Sequence, residues 1–133
     1  MRAQLAPGLY VVSTPIGHAR DITLRALDVL GAAAVVAAED TRVTGGLLRR
    51  YGIATPLTAY HEHNAASAGP RLIERIKGGE IVALASDAGT PLISDPGYRL
   101  VQAALAEGLA VSVVPGASAV TAALAVAGLP TDR

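Results

Sequence analysis

The sequence predicts an α/β fold in which a five-stranded, mainly parallel sheet carries helices on both faces. Short apolar segments rich in β-branched residues alternate with longer segments whose apolar residues recur at helical spacing. The apolar residues are chiefly Ala, Val, Leu and Ile, while Phe and Trp are absent and four Tyr supply all the aromatic rings. Such a core suits helices packed closely on a parallel sheet, and 133 residues suffice for one domain.

The charge and cysteine content excludes several classes of protein. Eleven basic and eleven acidic side chains give a formal net charge of zero, which argues against a free-standing nucleic-acid-binding module with a basic patch. The absence of Cys excludes disulfides, thiolate metal sites and thiol catalysis. No apolar segment approaches the length of a membrane span, and the N-terminus lacks the apolar core of a signal peptide. We therefore expect a cytoplasmic protein that does not enter a membrane.

The first strand and helix are predicted near the N-terminus. Residues 9–13 are apolar and β-branched, which indicates a strand that ends at Thr14-Pro15-Ile16-Gly17. Asp21 is a residue type that caps helices. A leucine at every third position follows, so we expect a helix that carries Leu24, Leu27 and Leu30.

A second strand, a second helix and a third strand follow. Residues 33–38 predict the second strand, which closes on the motif Glu39-Asp40-Thr41-Arg42. A helix is expected from there to about Tyr51, and Gly45-Gly46 is a weak point inside it. Residues 57–60 predict a short third strand.

A third helical segment leads into the fourth strand. Asn64 opens this segment, which runs toward Lys77. Pro70 is expected to mark the start of the ordered helix, because proline lacks the backbone N–H of a helix interior. The apolar residues expected on one face are Leu72, Ile73 and Ile76. Residues 81–85 form an apolar, β-branched segment that predicts a buried fourth strand.

The segment Ser86–Gly97 after this strand carries the strongest functional signal. It holds small residues, hydroxyls and a carboxylate, and its twelve residues exceed the typical 2–6 of a βα connection. Ligands of open α/β sheets bind beyond the carboxyl ends of the strands, where this loop is placed. Asp95 and Pro96 then read as the N-cap and first residue of the next helix. An ordinary surface turn is the alternative interpretation.

A fourth helix and a fifth strand complete the alternation. The helix is predicted over residues 98–107, with Val101, Ala104 and Leu105 inward, and the strand over residues 110–114. Pro115-Gly116-Ala117-Ser118 then opens a last helix that runs through Val126. The amides and hydroxyl at its start can hold a carboxylate, or Ser118 can simply cap the helix.

Two further motifs have both a chemical and a structural interpretation. In residues 39–42, Glu39 or Asp40 can act as a general base and Arg42 can grip a phosphate, or Asp40 can cap a helix and Arg42 can pair with a carboxylate. His61 and His63 imitate a metal site but lack a third ligand, so we predict no metal. Neither a G-x-G-x-x-G fingerprint nor a P-loop is present.

The chain resembles the N-terminal domain of the ribosomal RNA small subunit methyltransferase I family, in the tetrapyrrole methylase superfamily. The resemblance covers residues 9–133, although His18 stands where the family often has Asn. It rests on five motifs that occur in order: Ser13-Thr14-Pro15-Ile16-Gly17, Ala38-Glu39-Asp40-Thr41-Arg42, Tyr60-His61-Glu62-His63-Asn64, Ser86-Asp87-Ala88-Gly89-Thr90-Pro91 and Val114-Pro115-Gly116-Ala117-Ser118-Ala119.

The resemblance implies a function and a set of site residues. It implies methylation by S-adenosyl-L-methionine of the ribose 2′-hydroxyl of a cytidine in 16S rRNA of the small ribosomal subunit. It also implies a second domain after Arg133, so that residues 1–133 are the N-terminal domain. We assign the substrate side to Glu39, Asp40 and Arg42. The implied cofactor-binding residues are Pro15, Ser86, Asp87, Ala88, Gly89, Ile93, Ser118 and Ala119.

Self-association and two other functions complete the expectations. The inter-domain face of such a half-enzyme should be apolar, so we expect a homodimer. A methylase of a tetrapyrrole or another small molecule shares the fold and cofactor, although its first loop is usually richer in Gly. A non-catalytic binding domain is the third interpretation.

Overall fold

The fold is a five-stranded parallel sheet with helices on both faces, which confirms the predicted fold class. In this computed structural model the residues described are 4–15, 19–87 and 94–116, without the side chains of Ala19 and Asp87. The strand order across the sheet is β3-β2-β4-β1-β5. The strands are β1 (Gly8–Thr14), β2 (Val35–Ala38), β3 (Leu57–Ala59), β4 (Ile81–Asp87) and β5 (Val111–Val114).

Four α-helices in the described ranges cover the two faces of the sheet. They are α1 (Leu24–Ala32), α2 (Thr41–Arg50), α3 (Ala65–Lys77) and α4 (Asp95–Ala106), and a 3₁₀ turn at Ala19–Asp21 precedes α1. α1 and α2 pack on one face, whereas α3 and α4 pack on the other. The strands therefore separate two apolar layers, as expected for a parallel sheet with both faces buried.

The first helix has a different N-cap from the one predicted. Thr23, not Asp21, is the N-cap, and its Oγ1 accepts a hydrogen bond from the amide of Ala26 at 3.1 Å. Both residue types cap helices, and Asp21 instead belongs to the 3₁₀ turn. The predicted helix is confirmed and carries all three leucines, of which Leu30 is buried and Leu24 is 80% exposed. The buried residues of α1 are Ala26, Val29 and Leu30.

Pro70 lies inside α3 and does not mark its start, so this prediction was wrong. Asn64 fixes the turn before the helix, because its side chain accepts from the amide of His61 at 2.8 Å and donates to the carbonyl of Ala59 at 2.9 Å. Pro70 is exposed, so water can reach the carbonyl that the missing N–H would have bonded. The predicted apolar face is confirmed, since Leu72, Ile73 and Ile76 are buried.

The start of α4 lies one residue from its predicted position. Ser94 is the N-cap, and its Oγ accepts from the amide of Gly97 at 3.4 Å, while Asp95 is already helical. Leu105 was predicted to face inward but is 58% exposed, and Leu100 is buried in its place. β4 also continues through Ser86 and Asp87, which shortens the predicted loop. The last predicted helix lies outside the described residues.

Candidate active site at the carboxyl edge of the sheet

The sheet topology predicts a ligand crevice at the carboxyl end of β4. The connection after β4 leads to α4 on one face, whereas the connections after its neighbours β1 and β2 lead to α1 and α2 on the other. Neighbouring loops that leave on opposite faces open a crevice between them, where open α/β sheets bind ligands. β1 and β4 are also longer than their neighbours, and their register continues to Thr14 opposite Asp87.

Two serine side chains lie side by side at the carboxyl ends of β1 and β4. Ser13 and Ser86 are register partners on β1 and β4, and both are half-buried. Neither hydroxyl forms a hydrogen bond with any residue that the structure describes. The neighbouring Thr14, which is buried, donates from Oγ1 to the carbonyl of Ser86 at 3.1 Å and holds the two strand ends together. The pair therefore places two hydroxyl groups, each able to donate and to accept a hydrogen bond, at neighbouring strand ends.

The predicted cofactor residues divide into described and undescribed groups. Pro15 follows β1 directly and is half-buried, as is Ser86. Asp87 is the last residue of β4, so its backbone lies at the crevice. Outside the described residues lie Ala88, Gly89, Ile93, Ser118 and Ala119. Pro115 and Gly116 follow β5 at the same edge of the sheet.

A buried tyrosine connects the end of β3 to the first turn of α4. Tyr60 follows β3, and its hydroxyl donates to the carbonyl of Pro96 at 2.6 Å. Burial raises the pKa of the Tyr60 phenol, and the positive charge of Arg99 lowers it by less. The backbone on either side of residues 88–93 therefore has a side-chain contact, from Thr14 to Ser86 in β4 and from Tyr60 to Pro96 in α4.

The sequence motifs contain Ser13, Thr14 and Tyr60. They did not identify Ser13 as a candidate site residue, and they did not predict the contacts that Thr14 and Tyr60 make. Hydroxyl groups at consecutive strand ends are visible in the sequence. Their partners depend on strand order, which the sequence does not reveal.

The motif at residues 39–42 lies where β2 leads into α2. Asp40 is the N-cap of α2, and its Oδ1 accepts from the amides of Arg42 at 3.0 Å and Val43 at 3.4 Å. The same oxygen lies 3.7 Å from Nε of Arg42, whose side chain is 93% exposed. Glu39 is exposed and has no hydrogen bond or ion pair within the described part of the chain. The structure thus shows the capping role of Asp40 and leaves Glu39 available.

The two histidines form a contact of their own beyond β3. The rings of His61 and His63 pack edge to face with centroids 5.8 Å apart. Nδ1 of His61 is buried and has no hydrogen-bond partner in the structure as described. No group of three His, Asp or Glu among the described residues is placed to hold a metal ion.

A parallel sheet with helices on both faces defines an open α/β domain, a class of fold whose ligands bind beyond the carboxyl ends of the strands. The chain belongs to the tetrapyrrole methylase family: the family model for tetrapyrrole (corrin/porphyrin) methylases matches residues 8–133. None of the helices within the described ranges has the length and apolar character needed to cross a membrane.

The chain is also similar to proteins named ribosomal RNA small subunit methyltransferase I. It is 62% identical over 128 residues to the protein of that name from Mesorhizobium japonicum, covering 96% of this chain and 44% of the relative. It is 59% identical over 125 residues to that from Pseudomonas aeruginosa, covering 94% of this chain and 44% of the relative. The chain therefore spans less than half the length of these relatives.

Solved structures show the same fold. Uroporphyrin-III-C-methyltransferase from Thermus thermophilus matches with a TM-score of 0.65 and 27% identity, over 85% of this chain and 49% of that one. A cobalt precorrin-4 methyltransferase matches with a TM-score of 0.65 and 22% identity, over 90% of this chain and 50% of that one. The second similarity supports the fold alone.

The donor set at the crevice fits the cofactor of this family. The family's methyltransferases depend on S-adenosylmethionine, which carries an ammonium, a carboxylate and a ribose diol. The half-buried hydroxyls of Ser13 and Ser86 can donate to or accept from such groups, and they have no competing partner among the described residues.

Proposed function

We propose that this chain is the N-terminal half of an S-adenosylmethionine-dependent enzyme that methylates the ribose 2′-hydroxyl of a cytidine in 16S rRNA. The observation that carries the proposal is identity of 62% and 59% over nearly the whole chain with two relatives named ribosomal RNA small subunit methyltransferase I. The solved tetrapyrrole methylase at 27% identity is much more distant. These identities favour an RNA substrate over a tetrapyrrole.

The cofactor is proposed to bind in the crevice around the end of β4. Ser13 joins the residues expected from the sequence, because its hydroxyl is the register neighbour of Ser86 and is unpaired within the described ranges. Thr14 and Tyr60 hold the flanking backbone in place. The proposed cofactor-binding residues are Ser13, Pro15, Ser86, Asp87, Ala88, Gly89, Ile93, Ser118 and Ala119.

The chemistry demands alignment and one proton acceptor. S-adenosylmethionine supplies an electrophilic methyl group. The crevice residues keep the cofactor in line with the hydroxyl and exclude water. We assign the removal of the ribose proton to Glu39, since Asp40 is engaged in capping α2. Arg42 is the proposed phosphate contact, because its exposed guanidinium can form a bidentate pair with a phosphate.

The wider context is part of the same proposal. A second domain is proposed to follow Arg133 and to complete the cofactor cleft. The partner is proposed to be 16S rRNA in the small ribosomal subunit, in the cytoplasm. Two copies of the chain are proposed to form a homodimer. The family match and the high identity to longer relatives support this proposal.

Methylation of isolated small subunits tests the proposed function. The full-length protein, S-adenosylmethionine and unmodified 30S subunits should yield one ribose-methylated cytidine, detected by mass spectrometry of the digested 16S rRNA. A protein that methylates a tetrapyrrole instead, or leaves the RNA unmodified, would overturn the proposal.

Cofactor binding by an Asp87→Ala variant tests the proposed crevice. Binding of S-adenosylmethionine should weaken by about 1–3 kcal/mol, the cost of removing one partner from a buried polar contact. Isothermal titration calorimetry of the full-length protein measures this change. Asp28→Ala, which removes an exposed carboxylate on α1, is the control and should bind normally. Unchanged affinity in Asp87→Ala would exclude Asp87 from the site.

A further inference from the structure

Two histidine rings meet at the carboxyl edge of the sheet, just past β3, and the proposed function has so far given them no role. The amide of Tyr60 donates to the carbonyl of Ala38 at 2.9 Å, so the chain after β3 is still bonded to the end of β2. His61 and Glu39 directly follow these two bonded residues. Neighbouring parallel strands lie about 4.8 Å apart, so the backbone of His61 is next to that of Glu39, the proposed proton acceptor.

The backbone and the ring of His61 are both held in place. Its amide donates to Oδ1 of Asn64 at 2.8 Å, and its carbonyl accepts from the amides of Asn64 at 3.2 Å and Ala65 at 2.9 Å. The exposed His63 packs its ring edge to face against the ring of His61, with centroids 5.8 Å apart. A side chain held in this way loses little conformational freedom when it contacts a ligand.

The surroundings of the two ring nitrogens decide which of them can donate a hydrogen bond. Nδ1 of His61 is buried without a partner among the described residues, whereas Nε2 also lacks a partner there but is not enclosed. A neutral imidazole carries one N–H, and a buried N–H without an acceptor is costly. The neutral ring of His61 therefore keeps its proton on Nε2 and presents a donor at the edge of the sheet.

We propose that His61 selects the base of the methylated nucleotide by donating from Nε2 to N3 of cytosine. This role rests on the proposed function, in which Glu39 faces the 2′-hydroxyl of the same nucleotide. Proteins recognise unpaired RNA bases through hydrogen bonds to their Watson–Crick edge. N3 of cytosine is an acceptor, whereas N3 of uracil carries a proton. A fixed donor therefore favours cytosine and opposes a second N–H group on uracil.

Substitutions at His61 in the full-length protein test this role on two RNA substrates. One is the unmodified 30S subunit, and the other is a 30S subunit that carries uridine in place of the methylated cytidine. In single-turnover methylation, the unaltered protein should act at least about tenfold faster on the cytidine substrate, the discrimination expected of one contact to a base edge. His61→Phe keeps a ring but has no donor, so it should lose rate on cytidine and retain little preference.

A second substitution at His61 should change the preference in a different way. The amide of His61→Gln can donate or accept according to its orientation, so this variant should methylate the cytidine and uridine substrates at similar rates. Glu62→Gln, at an exposed position between the two histidines, is the matched control and should keep the preference of the unaltered protein. His61→Phe should melt at no lower temperature, because it removes a buried polar atom that has no partner in the described structure.

The outcomes separate the role of His61 from the proposed methyl transfer. Equal rates of the unaltered protein on both substrates, or a full preference for cytidine in His61→Gln, would overturn the role of His61 and leave the methylation of RNA standing. A His61→Phe variant that keeps the full preference would do the same. An unaltered protein that methylates neither substrate would overturn the proposed function, and the role of His61 with it.

Discussion

Asp40 and Glu39 are adjacent carboxylates with different surroundings. Asp40 accepts two amide hydrogen bonds at the start of α2, and this capping explains its residue type without any substrate. Glu39 is exposed and has no such contact within the described ranges. The sequence predicted that one of these residues could be a base and that Asp40 could be a cap. The sequence alone could not assign the two roles, because the position of the N-cap depends on where β2 ends and α2 begins.

Isosteric amide substitutions separate the two roles. Asp40→Asn should keep the cap, since Asn and Asp cap helices almost equally, and should retain most of the methyl-transfer rate. Glu39→Gln should lower the rate by about 10²–10⁴ while leaving cofactor affinity unchanged, because the proton acceptor is lost. Single-turnover methylation at saturating cofactor and 30S subunit measures both variants. The opposite order of rates would transfer the role of base to Asp40.

The hydroxyl of Tyr60 should contribute to stability. Tyr60→Phe leaves the buried carbonyl of Pro96 without its donor, so the free energy of unfolding should fall by about 1–3 kcal/mol. Tyr98→Phe is the matched control, because Tyr98 is 56% exposed and its hydroxyl only accepts from Gln102 at the surface. Urea denaturation measures both changes. Equal stability of the two variants would show that the buried bond contributes little.

At the scale of elements, α2 contains a glycine pair with two different surroundings. A Cβ on Gly45 would lie 3.2 Å from Cδ1 of Leu57 on β3, so glycine there lets the helix approach the sheet closely. A Cβ on Gly46 would meet only an Arg49 nitrogen at 3.9 Å. The weak point that the sequence predicted inside α2 is therefore a packing requirement at one position and a propensity cost at the other.

Alanine at these two positions should have different effects. Gly46→Ala should raise the free energy of unfolding by about 0.5–1 kcal/mol through reduced unfolded-state entropy and better helix propensity. Gly45→Ala should gain less or lose stability, because Leu57 must move to accommodate the methyl group. Thermal denaturation of both variants compares them directly. A larger gain at Gly45 than at Gly46 would contradict this account of the packing.

The sequence predicted the elements well and their ends less well. Apolar segments reveal buried strands, and the strands near the expected positions are confirmed. Helix starts were misplaced where two capping residue types lie close together, as with Asp21 and Thr23, or Ser94 and Asp95. Pro70 misled because the rule against helical proline weakens at an exposed position where water can replace the lost bond.

At the scale of the whole molecule, the order of the strands decides where the candidate site forms. Strand alternation in the sequence predicts a parallel sheet, but it does not show that β4 lies between β2 and β1. That position makes Ser13 on β1 and Ser86 on β4 neighbours, although the two serines are far apart in the sequence. The loops in the sequence predict the region of the candidate site. The pairing of Ser13 with Ser86 could not be predicted, because it depends on the order and register of the strands.

The central position of β4 also predicts a pattern of backbone protection. Amides of β4 and β1, which have strand neighbours on both sides, should exchange with solvent only in the globally unfolded chain. Amides of β3, paired only with β2 in the described sheet, should exchange through smaller openings. Native-state hydrogen exchange followed by NMR measures both sets. Equal protection of β3 and β4 would show that the sheet opens as one unit.

Synthesis of the chain from its N-terminus gives the place of β4 a further consequence. β1 is made first, yet both of its neighbours in the sheet, β4 and β5, are made after β2 and β3. A nascent chain that ends before Ile81 therefore contains the β2–β3 pair and an unpaired β1 whose apolar residues have no sheet to enter. In this interval the segment Leu9–Val12 is an extended apolar sequence of the kind that chaperones hold and that aggregates when unprotected. The arrival of β4 ends the interval by joining both parts of the sheet at once.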